Sequence, residues 1–93
     1  MSELTIDDFS GHVGAAYEIE AGGGTVSLTL EEARPLPESV REAGSFALLF
    51  RGPADPVLPQ SIYSFRRGGD GVDIFITPVA RDASGTQYEA IFN

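Results

Sequence analysis

Cysteine and lysine are both missing from this 93-residue chain, and histidine occurs once. Without cysteine there are no disulfides, no thiolate metal ligands and no cysteine nucleophile, so apolar burial alone has to hold the fold together. Without lysine all the positive charge sits on Arg34, Arg41, Arg51, Arg66, Arg67 and Arg81, side chains that make forked contacts with carboxylates. Cationic surface is scarce as well. Fourteen acidic residues face six basic ones, a formal charge of −8 that repels nucleic-acid phosphates and anionic bilayers at long range, so neither is expected as a partner. No segment approaches the roughly 20 apolar residues a membrane-crossing helix needs, and the opening Met-Ser-Glu-Leu-Thr-Ile-Asp-Asp has no basic leader. The expectation is a soluble, cytoplasmic protein without a signal peptide.

Residues competent for chemistry are equally sparse. His12, flanked by Ser10, Asp7 and Asp8, is the one candidate base. Neighbours two apart on a short helix point to different sides and build no oriented relay. Glu31 and Glu32, adjacent on a strand, should face opposite ways and so do not form a paired acid and base. Gly68 to Ile76 matches the calcium nonapeptide Gly-Gly-x-Gly-x-Asp-x-U-x letter for letter. That site shares each ion between stacked tandem copies, and this chain has one copy. A hairpin turn accounts for the same glycines. Gly22-Gly23-Gly24 lacks the lysine and following helix of a phosphate loop and also reads as a turn. These readings leave no catalytic, cofactor or metal residue to assign, and a non-enzymatic protein is expected.

With 42% hydrophobic residues, the chain carries enough apolar surface for one core and is too short for two. One domain, 1–93, is therefore expected. A short helix is predicted over about Ile6 to Val13, capped by Thr5, stapled by Leu4 and Phe9, stopped at Gly14, and pressing Phe9 and Val13 onto a sheet. From residue 15 onward, apolar and polar residues alternate. Tyr17–Glu20 and Val26–Glu31 flank the glycine triplet, and Ile62–Phe65 and Val72–Ile76 flank Arg66–Gly71. Pro78 closes that strand, and Gln87–Phe92 forms the last one. Between the hairpins, Phe46–Phe50 is apolar at five consecutive positions and reads as a central strand buried on both faces. Residues 38–43, after Pro35 and Pro37, read as a loop or a single helical turn. The whole is mainly β: an antiparallel barrel or two-layer sandwich of about six strands, with a meander as the simplest order. The inward set is Tyr17, Ile19, Val26, Leu28, Leu30, Phe46, Leu48, Phe50, Tyr63, Phe65, Ile74, Ile76, Tyr88 and Phe92.

The candidate interaction site follows the central strand. Prolines at 53, 56 and 59 recur with the period of a polyproline II helix, which has no internal hydrogen bonds and must be held by its surroundings. Two readings stand open for Arg51, Pro53, Asp55, Pro56, Val57, Leu58 and Pro59. Either the segment is pinned over the barrel, tied down by an Arg51–Asp55 ion pair, or its apolar edge is exposed and docks a protein partner or a second copy. Tyr88–Phe92 is a second candidate, as a free edge strand. The alternative function is a small barrel binding an apolar ligand in its mouth, although nine Phe and Tyr residues leave little room for a void.

Leu-Thr-Ile-Asp-Asp-Phe-Ser-Gly-His-Val-Gly from residue 4, Glu-Ala-Arg-Pro-Leu-Pro at 32–37, Phe-Ala-Leu-Leu-Phe-Arg-Gly-Pro at 46–53, Leu-Pro-Gln-Ser-Ile-Tyr at 58–63 and the ending Tyr-Glu-Ala-Ile-Phe-Asn resemble a family of small bacterial proteins catalogued as a domain of unknown function. The resemblance covers nearly the whole chain and carries over no catalytic residue. It implies members encoded beside proteins resembling phage tail collar or tail fibre components, and hence an accessory subunit of a phage-tail-like particle or filament.

Overall fold

The computed structural model describes residues 6–21, 23–36, 45–55, 57–67 and 70–92. The expected Thr5 cap and Leu4 staple, the 38–43 connection, Pro56 and Gly68-Gly69 lie outside these residues. Six antiparallel strands, β1 (Ala16–Ala21), β2 (Gly24–Pro35), β3 (Phe46–Gly52), β4 (Ser61–Arg67), β5 (Asp70–Asp82) and β6 (Gly85–Phe92), close into a barrel. The order around it is β1-β2-β3-β6-β5-β4. It departs from a simple meander, because β3 pairs with β6 from Phe46↔Phe92 to Gly52↔Thr86 while β4 closes onto β1 at Glu18↔Arg66. β4, β5 and β6 follow one another in the chain, and the strand before them lies beside the last of them. That is a Greek key, and its long connection is the proline-rich segment between β3 and β4.

Period-two patterning places the core. Tyr17, Ile19, Val26, Leu28, Leu30, Phe46, Leu48, Phe50, Phe65, Ile74, Ile76 and Tyr88 are buried, and Tyr63 and Phe92 pack against them half-buried. Tyr17, Phe50 and Phe65 form an aromatic cluster in the interior, with the Phe50 and Phe65 ring centroids 4.8 Å apart. β3 inserts Phe46, Leu48 and Phe50, and its other face is also largely covered, with Ala47 buried and Leu49 half-buried.

Two β-bulges change what simple alternation predicts. On β2 the register shifts between Leu30 and Glu32, so Glu31 is an extra residue. Glu31 and Glu32 consequently both reach solvent instead of facing opposite ways. On β5 the register shifts between Pro78 and Ala80, making Val79 the extra residue. A strand tolerates a proline beside such an interruption, so Pro78 does not end β5, which runs on to Asp82.

The helix is shorter than expected. α1 is the single turn Asp7–Ser10, followed by turns to Gly14, whose φ of +94° reverses the chain where a side chain would be strained. The Gly14 N–H donates to the Leu30 carbonyl at 2.7 Å and docks this turn on β2. Phe9 is buried against Phe46 and Phe92, but the helix stops before Val13, which is 52% exposed and does not press on the sheet.

Candidate interaction surface

The crossover from β3 to β4 spans one end of the barrel, with α1 at the other. Leu58 drops into the core at 3% exposure, and its N–H donates to the Tyr88 hydroxyl at 2.8 Å. Arg81 Nε donates to the Ala54 carbonyl at 2.6 Å, and the Tyr63 hydroxyl donates to the Pro59 carbonyl at 2.7 Å. These bonds satisfy backbone groups that a polyproline-like stretch cannot pair internally, and they pin the segment as the first of the two readings expects. Pro53, Asp55, Val57 and Pro59 remain exposed above it, and Pro56 lies outside the described residues. Burial pushes the Tyr63 phenol above its usual range.

Arg51 does not reach toward Asp55. Its Nε donates to Glu31 at 2.9 Å, and its Nη1 donates to Ser84 Oγ at 2.9 Å and lies 3.7 Å from Asp82. Gln87 Nε2 adds a bond to Glu31 at 3.2 Å, and the Ser84 N–H and hydroxyl both donate to Asp82. The bulge explains the change of partner, since it sets Glu31 outward beside β3. Hydrogen bonds from Arg51 and Gln87 hold the Glu31 carboxyl below its usual range, those from Ser84 do the same for Asp82, and Glu31 raises Arg51. Gly85 follows at φ +144°, where a Cβ would run into the Gly52 carbonyl oxygen, so the β5–β6 turn and the end of β3 approach more closely than any other residue would permit. This cluster staples β2, β3 and the β5–β6 turn on the outside of the barrel.

Tyr88–Phe92 is not a free edge. β6 pairs with β3 over its length and with β5 through Gly85–Glu89. Exposed apolar side chains occur singly at Val13, Val57, Val79 and Ile91, and as a cross-strand pair on the outer face of β4 and β5. Ile62 and Phe75 are register partners, 64% and 50% exposed. Ser64 and Asp73 form the next outward pair, since residues two apart share a face at a spacing of about 7 Å. Asp73 has no ion pair among the described residues. A sequence signal for this patch does exist. An antiparallel strand with one wet face should alternate, yet Ile74-Phe75-Ile76 and Ile62-Tyr63 place apolar residues on both faces.

Asp73 is also the Asp of the calcium-like nonapeptide. It sits mid-ladder opposite Ser64, and the β4–β5 register runs on to Arg67↔Asp70, the two strands pairing as an antiparallel hairpin. Among the described residues no group of three or more His, Asp or Glu side chains is arranged to hold a metal ion. His12 is half-buried in the turn after α1. The interior is occupied by its own side chains, with Phe9 closing one end and Leu58 the other, so it lends no support to the apolar-ligand alternative. A depression of about 450 Å³ is lined by Ala16, Glu18, Arg66 and Arg67 at the β1–β4 seam. No helix among the described residues is long and apolar enough to cross a membrane.

Compared with known proteins, the chain belongs to the family described as Domain of unknown function (DUF6916), whose model matches residues 4–92. No curated protein and no solved structure matches it.

Proposed function

We propose that this member of the family is a non-enzymatic interaction or assembly protein that engages a protein partner through the outer face of the β4–β5 hairpin. The observation that carries the reading is the exposed Ile62–Phe75 pair on the β4–β5 ladder: Val13, Val57, Val79 and Ile91 are also exposed, but only Ile62 and Phe75 among the described residues are large apolar register partners left in water side by side. Rigid strands present such anchors at low entropic cost. In its finer form the proposal makes the protein an accessory subunit of a phage-tail-like particle or filament. Its support there is the genomic neighbourhood that the family resemblance implies.

The test is co-purification of the chain with its neighbouring gene products from the native host, comparing wild type with the Ile62→Ser/Phe75→Ser double variant. Both substitutions are at outward positions and should leave the fold intact by circular dichroism. A neighbour retained by wild type and lost by the variant supports the reading. A neighbour retained equally by both removes this face as the interface.

A further inference from the structure

The patch also carries information about the charge of what covers it. Among the described residues, the cations near acidic groups are already committed. Arg34 lies 3.8 Å from Glu32 and 3.9 Å from Glu89, Arg51 pairs with Glu31, and Arg66 reaches Glu20 at 2.6 Å. Arg81 is spent on the Ala54 carbonyl. The acids outnumber them, and Asp73 is one that has no ion pair among the described residues, directly beside the exposed Phe75. Arg66 shares the outward face of β4 with Ile62 and Ser64 but is bonded to Glu20, while Arg67 falls in step with Phe65 on the other side of the strand.

We propose that the β4–β5 outer face docks a cationic partner surface, with apolar side chains covering Ile62 and Phe75 and an Arg or Lys pairing with Asp73. This rests on the reading of the face as an interface and adds the partner's chemistry. A second copy fits poorly. It brings another charge of −8, and the arginine on the same outward face of its β4, Arg66, is already bonded to Glu20, so repulsion rises and that face offers Asp73 no uncommitted counter-ion. A basic partner gains from both terms: the acidic field steers it in, and the apolar pair supplies a desolvated centre beside the charge.

Two synthetic β-hairpin peptides test this by fluorescence anisotropy, one with Leu and Trp on a face flanked by Lys, the other identical but with Glu for Lys. Wild type should bind the Lys peptide at least about tenfold more tightly than the Glu peptide. Ile62→Ser/Phe75→Ser leaves net charge unchanged and should lose about tenfold or more. Asp73→Asn should lose severalfold, while Asp55→Asn, the same change of net charge placed on the crossover, should lose little.

Equal weakening by Asp73→Asn and Asp55→Asn reduces the effect to overall charge and overturns the proposal. Undiminished binding by the apolar double variant, or equal binding of both peptides, does the same. Sedimentation showing that wild type self-associates and the double variant does not would assign the face to a second copy instead. If native co-purification depends on Ile62 and Phe75 but the Lys peptide is not preferred, the interface reading survives and the cationic chemistry fails. If co-purification ignores the double substitution, the interface reading itself fails.

Discussion

At the α1 end of the barrel, Phe9 lies across Phe46 and Phe92, whose rings stack with centroids 4.5 Å apart. At the crossover end, Leu58 is the buried apolar plug, and the chain around it is held by hydrogen bonds to Tyr88, Arg81 and Tyr63. The first closure rests mainly on apolar area and shape, with the Gly14 N–H bonded to the Leu30 carbonyl to dock its turn. The second needs particular donors facing particular acceptors, because an extended proline-rich backbone has polar groups that no ladder satisfies. Sequence economy follows the same division: one helical turn suffices for the first closure, whereas the crossover recruits side chains from β4, β5 and β6.

The comparison breaks most visibly at Phe46. Phe46→Ala should cost about 3–5 kcal/mol in urea unfolding, since the residue is almost fully buried between two rings. A loss below about 1 kcal/mol would mean that the rings do not close that end. Leu58→Ala should cost about 2–4 kcal/mol, the lower figure reflecting a smaller side chain on an end where the crossover can partly settle. If it matches Phe46→Ala, the two ends are equivalent after all.

Tyr88→Phe sharpens the contrast by removing a hydroxyl while preserving the ring. The buried Leu58 N–H then has no acceptor, and a loss of about 1–3 kcal/mol is expected, together with faster hydrogen exchange at Leu58 than at Leu48. Unchanged exchange at Leu58 would dissolve the claim that this bond holds the crossover.

The smallest effect is in acid. Glu31 and Asp82 have lowered pKa values when folded, so their contribution is fully present above their unfolded values, about pH 4. It is lost as pH falls through the lowered folded values. Glu31→Gln should therefore flatten the acid limb of a stability–pH curve slightly, while a change at Phe9 should move the whole curve without altering its shape.

Much of the barrel could be read from alternation, and the reason is local: inward and outward faces follow from residue type at every second position. Tyr17 with Ile19, Val26 with Leu28 and Leu30, and Ile74 with Ile76 identify themselves this way. What alternation does not encode is which strand lies beside which. Pairing of β3 with β6 and the return of β4 to β1 depend on contacts distant in the chain, so the expected meander gave way to a Greek key. Bulges are similarly silent, and they account for the partner of Arg51 and for β5 running past Pro78. Within the candidate site, the proline period marked the crossover correctly, but not the burial of Leu58, because a single Leu among prolines shows no face. Ile62 and Phe75 stood in plain view as strand residues. Their exposure became meaningful only once the inner face was seen to be filled without them.

The route of the crossover also sets an order of events in time. β3 emerges from a ribosome well before β6, the strand that will lie against its other side, and the sheet cannot be sealed until that later segment arrives. Until then the apolar edge of β3 waits uncovered in the nascent chain, which makes β6 the strand that commits the barrel to its shape.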